Sequence, residues 1–273
     1  MPRHPWNDPR PFVVGPASSR TGFLLIHGFT GAPTEVRPVA DHLAARGHRC
    51  IGVQLSGHGT RVENLRDVSR AHYKQVVAEG RRWLAEDCER VVLVGLSMGG
   101  LLAVIDAASH GCDGLVLIAP AFEISNPLFG LLPWLGWLPG AIPAPSGAGL
   151  VSREGWKKLW HYERRPFRAA RELHRVGVEA REALPRVTAP VLLIQGLLDQ
   201  TLDPAGAKRA FDRLRAAPQR ELVWLQRSGH IATADVEADL LFAAIDRFLV
   251  QIGEPPAADA KEHQSPGCTR RKS

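Results

Sequence analysis

From residue 22 to residue 250, short apolar runs alternate with longer segments that carry their apolar residues at helical spacing. No other feature constrains the fold as much. Strand, helix and strand in succession can share one sheet when the strands run parallel and each helix crosses over a face. Residues 22–26, 49–53, 90–94, 114–118, 190–194 and 221–225 read as strands, and the β-branched run at 90–94 has the continuous apolar character of a strand buried on both sides. Between them, Thr34 can cap a helix to about Arg46, with Val36, Val39, Ala40 and Leu43 on one face and Gly47 as its stop. Residues 69–88, 99–110, 205–214 and 235–250 read as further helices.

The alternation breaks between residues 121 and 186. The chain therefore divides into an N-terminal part of the core (1–120), an insertion (121–186) and a C-terminal part of the core (187–252). Residues 253–273 mix Pro, Ala and charge without apolar periodicity and are expected to form a disordered tail. An insertion after the strand at 114–118 rides on the carboxyl edge of the sheet, where open α/β folds bind ligands, which makes it a candidate cap or lid. Residues 124–152 carry no charge, yet repeated Pro and Gly from Pro127 to Gly149 exclude a membrane-spanning helix.

Composition narrows the function class. Lys and Arg number 34 against 28 Asp and Glu, a net +6, and the cations are mostly Arg spread along the chain, which is not a nucleic-acid footprint. Arg164, Arg168, Arg171 and Arg175 are spaced to share one helix face, expected to be solvated surface, with binding of an anionic lipid or carboxylate as the alternative. Cys50, Cys88, Cys112 and Cys268 form no C-x-x-C pair and no zinc-like spacing, and the first twenty residues hold only Phe12-Val13-Val14 as an apolar run. A reducing, cytoplasmic setting is expected.

Gly95-Leu96-Ser97-Met98-Gly99 lies directly between the strand at 90–94 and the helix at 99–110. In that setting G-x-S-x-G has a mechanical meaning: the glycines allow a sharp turn that lifts the serine hydroxyl above the sheet edge, beside the free N–H groups of the helix. A serine hydroxyl needs a base, and the base needs a carboxylate to hold its tautomer. Asp199 and His230 follow in that order, each in a loop after a strand, with Asp203 as a rival acid. Two amides can stabilise an oxyanion: the Met98 N–H at the elbow, and the Phe29 N–H in His27-Gly28-Phe29-Thr30-Gly31, where glycines permit close backbone approach. Leu131, Trp134 and Trp137 in the uncharged run, with Phe29 and Ile231, are candidates to line an acyl site or to form the lip of an interfacial lid. No cofactor is implied, since such a triad needs no metal.

The segments LLIHGFTG, SGHGT, VGLSMGG, LDQTLDP and SGHIATAD, in this order, resemble the α/β-hydrolase superfamily, and within it the bacterial carboxylesterase and monoacylglycerol lipase group. The resemblance implies an α/β-hydrolase fold: a mostly parallel twisted sheet flanked by helices, with an inserted cap. It also implies Ser97 as nucleophile, Asp199 as acid, His230 as base and the Phe29 and Met98 amides as oxyanion hole. The expected substrate is a small acyl ester, and transient contact with a lipid interface through the cap is a further expectation. The same residues could serve an amide, a thioester or a carbon–carbon bond, and a non-catalytic binding protein of this fold is the remaining alternative.

Overall fold

The computed structural model describes residues 8–131, 134, 137–144 and 149–254. In chain order its elements are β1 (Phe12–Val14), β2 (Thr21–Ile26), α1 (Arg37–Ala44), β3 (Arg49–Val53), α2 (Arg70–Asp87), β4 (Arg90–Leu96), α3 (Met98–His110) and β5 (Gly114–Ile118). They continue with β6 (Ala141–Pro143), α4 (Arg153–Lys158), β7 (Arg164–Pro166), α5 (Phe167–Ala183), β8 (Val191–Gly196), α6 (Pro204–Arg213), β9 (Arg220–Leu225) and α7 (Ala238–Gln251).

Successive side chains of a strand point to opposite faces, so a continuous apolar run has two faces to bury. Leu24 and Ile26 of β2 go to one side, with Leu93 of β4, Leu115 and Leu117 of β5 and Leu193 of β8. Phe23, Leu25, Val92, Val94, Val116, Leu192 and Ile194 go to the other. The first face is covered by α2 through Tyr73, Val77 and Leu84, by α3 through Leu101 and Leu102, and by α5 through Leu173 and Val176. The second is covered by α1 through Val39 and Leu43 and by α7 through Leu241, Ile245 and Phe248. The result is a mostly parallel sheet in the order β1-β3-β2-β4-β5-β8-β9, with helices on both faces as expected.

Three local differences from the sequence expectation have identifiable causes. Phe12-Val13-Val14 is an edge strand, β1, antiparallel to β3. Three residues are too few to show a period, and what places them is tertiary: the Phe12 ring lies where Gly52 has no side chain, and the Arg37 guanidinium sits 4.9 Å above that ring. Thr34 caps no helix. It is buried in a 3-10 turn, Pro33–Glu35, its hydroxyl accepts the Trp160 N–H at 3.4 Å, and α1 begins only at Arg37. Arg164 stands on β7, paired with β6, and α5 starts at Phe167, so only Arg168, Arg171 and Arg175 remain on a helix.

Between β5 and β8, the strands β6 and β7 form a two-stranded antiparallel ribbon and α5 lies along α3. Residues 255–273, where a tail is expected, lie outside the described residues. Glu254, counted with that tail, is buried, accepts the Thr21 hydroxyl at 2.8 Å and pairs with Arg90. No helix among the described residues is long and apolar enough to cross a membrane.

Candidate active site

The turn from β4 into α3 carries Ser97 at φ 54°, ψ −117°, a region that a residue with a side chain occupies at a cost of about 1–3 kcal/mol. It is held there by close backbone packing. A Cβ on Gly95 would overlap the backbone of Gly99 and Gly100, and one on Gly99 would overlap the carbonyls of Ile26 and His27. The Ser97 N–H donates to the Ile118 carbonyl at 2.9 Å, so the neighbouring strand fixes the turn as well.

All the predicted polar residues meet at the carboxyl ends of these strands. His230 Nε2 lies 2.9 Å from Ser97 Oγ and His230 Nδ1 lies 2.8 Å from Asp199 Oδ2. Asp199 follows β8, and its carboxylate also accepts the Thr201 N–H at 2.8 Å, the Leu202 N–H at 2.9 Å and the Gln195 side chain at 3.0 Å. Asp203, the rival, lies instead at the N-terminus of α6, where it accepts the Ala205 N–H and pairs with Arg209. Burial opposes charge on both members of the His230–Asp199 pair. For Asp199 the facing imidazole and the donors around it outweigh burial and hold the carboxyl below its usual range. For His230 the Asp199 carboxylate, helped by Glu35, outweighs burial and raises the imidazole above its ordinary value. A hydroxyl placed 2.9 Å from such an imidazole can give up its proton as it attacks a carbonyl.

The loop after β2 faces this centre. Among the described residues, the N–H groups of Phe29 and Met98 donate to no protein acceptor, as an oxyanion site requires. Sequence reading passed over two residues that hold this loop. His27 is fully buried; its Nε2 accepts the Leu55 N–H at 3.1 Å, so its Nδ1 carries the proton and donates to the Gly28 carbonyl at 2.8 Å. Burial, aided by His58, keeps this imidazole neutral. Glu35 accepts the Gly28 N–H at 2.8 Å and occupies the space beside Gly31 that a side chain there would need. The available signal was a lone acid among the apolar residues that follow HGFTG.

Burial, offset only partly by the Gly28 N–H and by His230, pushes the Glu35 carboxyl up to about 7. A folded-state value above the unfolded 4.5 means that the fold binds this proton more tightly. The associated stability is complete in acid below that unfolded value and is lost as pH rises through about 7. Glu35→Gln, which keeps an acceptor for Gly28, is therefore expected to gain on the parent between pH 5 and pH 8 by about 2 kcal/mol, on the order of 5 °C in Tm. Equal Tm differences at the two pH values would contradict this assignment.

Above Ser97 opens a pocket whose walls include Phe29 and Ile231, two of the expected lining residues. The other three point elsewhere: Leu131 is 48% exposed, Trp134 77% and Trp137 67%. Trp137 borders a separate surface groove with Arg168 and Arg171. The reason is local geometry, since the 3-10 turn Pro127–Leu131 directs Phe129 inward, 6% exposed, and leaves Leu131 outside. Apolar lining comes instead from Ile124, Phe129, Trp156, Leu173 and Leu202. Among the described residues no cluster of three His, Cys, Asp or Glu side chains could hold a metal ion, and Cys50, Cys88 and Cys112 are free thiols.

Residues 23–244 match the model of the Alpha/beta hydrolase family. The chain is 31% identical over 221 residues to the thermostable monoacylglycerol lipase of Bacillus sp. (strain H-257), covering 81% of this chain and 86% of that protein. It is 25% identical over 246 residues to the carboxylesterase of Bacillus subtilis (strain 168), covering 89% and 97%. Among solved structures, one described under LipS and LipT, two metagenome-derived lipolytic enzymes, superposes with a TM-score of 0.82 at 29% identity, covering 90% of this chain and 97% of that one.

Proposed function

Because the chain belongs to the alpha/beta hydrolase family, we propose that it hydrolyses carboxylic esters, as a carboxylesterase or monoacylglycerol lipase, through an acyl-enzyme on Ser97. The observation that carries this reading is the unbroken chain from Ser97 Oγ through the His230 ring to Asp199, with steps of 2.9 and 2.8 Å, at the floor of a largely apolar pocket. The names of the two Bacillus relatives support it.

In the proposed reaction His230 Nε2 takes the Ser97 proton as Oγ attacks the ester carbonyl. Asp199 keeps Nδ1 protonated and steadies the imidazolium, and the oxyanion lies against the Phe29 and Met98 amides. His230 then protonates the departing alcohol. Water, activated by the same imidazole, releases the acid and restores Ser97. Residues 121–186 serve as the cap: Ile124, Phe129, Trp156 and Leu173 from this segment wall the pocket. The exposed Leu131, Trp134 and Trp137 suit transient contact with a lipid interface.

Two measurements test the reading. A fluorophosphonate is expected to label the protein on the peptide that contains Ser97, and initial rates on p-nitrophenyl esters from acetyl to palmitoyl are expected to peak at medium or long chains. No label and flat, near-blank rates would overturn it. The pH profile is also defined. His230 must be neutral to accept a proton, and its pKa is raised, so kcat/KM is expected to rise with pH and to reach half its maximum above 6.5. A midpoint below 6.5 would mean that another group controls the reaction.

A further inference from the structure

The pocket over Ser97 contains a cation with no partner among the described residues. Arg165, on β7, lines it together with Ser97 and His230. Its Nε is shielded from solvent, and among the described residues it has no hydrogen-bond acceptor and no carboxylate pairs with its guanidinium. Three other partly buried arginines are compensated, Arg81 by Asp106 at 2.6 Å, Arg46 by Asp246 at 2.9 Å and Arg175 by Glu172 at 2.5 Å, whereas Arg171, whose Nε also lacks an acceptor among the described residues, borders surface grooves away from Ser97. Burial alone moves the Arg165 pKa, downward, with no acid to oppose it. Glu35, which also lines the pocket, does not compensate Arg165: its carboxylate accepts the Gly28 N–H, and it forms no ion pair with the guanidinium.

An uncompensated guanidinium in a walled pocket is stabilised when an anion arrives, and its planar fork of N–H donors matches the two oxygens of a carboxylate or phosphate. Nδ1 of His161, which lines the same pocket with its ring 4.0 Å from that of Trp156, is likewise buried without a partner among the described residues. Burial keeps that imidazole neutral, so it can hydrogen-bond without adding charge. The anion that Arg165 awaits is not the reaction's own oxyanion, which has the Phe29 and Met98 amides. Arg165 is nevertheless close enough to act electrostatically on His230.

We propose that Arg165 docks an anionic group of the substrate, so that the preferred esters carry a carboxylate or a phosphate in addition to the bond that is cleaved. This rests on the ester-hydrolase reading above and narrows it to a substrate class. The sequence-level stripe of Arg164, Arg168, Arg171 and Arg175 skips this residue. It enters the site only because the β6–β7 ribbon sets Arg165 opposite Ile142, with Arg164 turned to solvent.

Two matched substrate pairs test the proposal and locate the charge. The first compares p-nitrophenyl hydrogen adipate with its methyl ester, which places a carboxylate at the far end of the acyl chain. The second compares 1-lauroylglycerol 3-phosphate with 1-lauroylglycerol, which places a phosphate on the alcohol. In at least one pair the anionic member is expected to have the higher kcat/KM by about tenfold or more, the scale of a desolvated, charge-assisted hydrogen bond. That ratio is expected to fall to near one in Arg165→Gln and to survive in part in Arg165→Lys. Equal rates within both pairs, or an unchanged ratio in Arg165→Gln, would overturn the proposal. If no ester is cleaved at all, the reading of the reaction has failed, and binding still decides the role of Arg165. Calorimetric titration of adipate and of glycerol 3-phosphate into Ser97→Ala is expected to show binding that disappears when Arg165→Gln is added. Absence of binding to Ser97→Ala overturns the role.

Discussion

Ser97→Ala is expected to lower kcat/KM for the best p-nitrophenyl ester by about 10⁴-fold or more, with an unchanged circular dichroism spectrum. His230→Ala should lose a comparable factor, and the double variant little beyond either single one, because hydroxyl and imidazole act as one unit. Asp199→Asn probes the third member. It keeps shape and burial but removes the charge that raises His230, and it lets the imidazole turn its proton toward Ser97, so a loss of about 10⁴-fold is expected there as well. Each loss has a geometric origin in the 2.9 and 2.8 Å contacts of His230. Initial rates on purified variants check it. Ser97→Ala retaining a few per cent of parent activity, or losses that multiply in the double variant, would mean that the three side chains do not form the catalytic relay.

Gly99→Ala is expected to have the largest effect on stability among conservative changes near the site. The added methyl would sit against the carbonyl groups of Ile26 and His27, and a backbone at the centre of a parallel sheet has little room to withdraw. A loss of about 3 kcal/mol or more is expected, a large part of the roughly 5–15 kcal/mol that holds a domain folded. Gly130→Ala is the control. Among the described residues nothing lies within 4 Å of where its Cβ would be, and a change within about 0.5 kcal/mol is expected. Denaturant unfolding midpoints of the two variants measure the contrast. Similar midpoints would show that the elbow tolerates side chains by moving, and that its strained φ at Ser97 is not imposed by packing.

The strands were legible because a buried parallel strand must be apolar on both faces, and such runs are short and bounded. Residues 49–53 and 114–118 are strands with the limits expected from the sequence, and 90–94 extends only to Leu96. Helix starts were less legible. Thr34 has the chemistry of a cap, but its hydroxyl serves Trp160, 126 residues away. The last helix begins at Ala238 rather than near Asp235, because Asp235 and Glu237 are used elsewhere. The Asp235 carboxylate accepts the Gly229 N–H at 2.7 Å, and the Glu237 carboxylate accepts the Ser228 hydroxyl at 2.9 Å, so both brace the loop that presents His230.

The polar centre was legible for a different reason. Ser97, Asp199 and His230 each follow a strand of one parallel sheet, and parallel strands deliver their carboxyl ends to the same edge. Residue type and order therefore implied proximity without any distance. The walls of the pocket carried no such signal. Whether a Trp or Leu in an irregular, proline-broken segment faces a pocket or solvent depends on turns that no period describes, and so Phe129 and Trp156 line the pocket while Trp134 and Trp137 do not.

What the sequence determined by itself is the layered core and which polar side chains gather at the sheet edge, since both follow from local rules: alternation along a strand, spacing along a helix and the sharp turn that G-x-S-x-G allows. Only the tertiary structure decided which charges are paired. Glu35 is buried against the Gly28 amide, and Arg165 faces the pocket with no carboxylate paired to it among the described residues. The electrostatics of a buried group are set by what lies within a few ångströms of it, and the linear order of residues does not specify that distance.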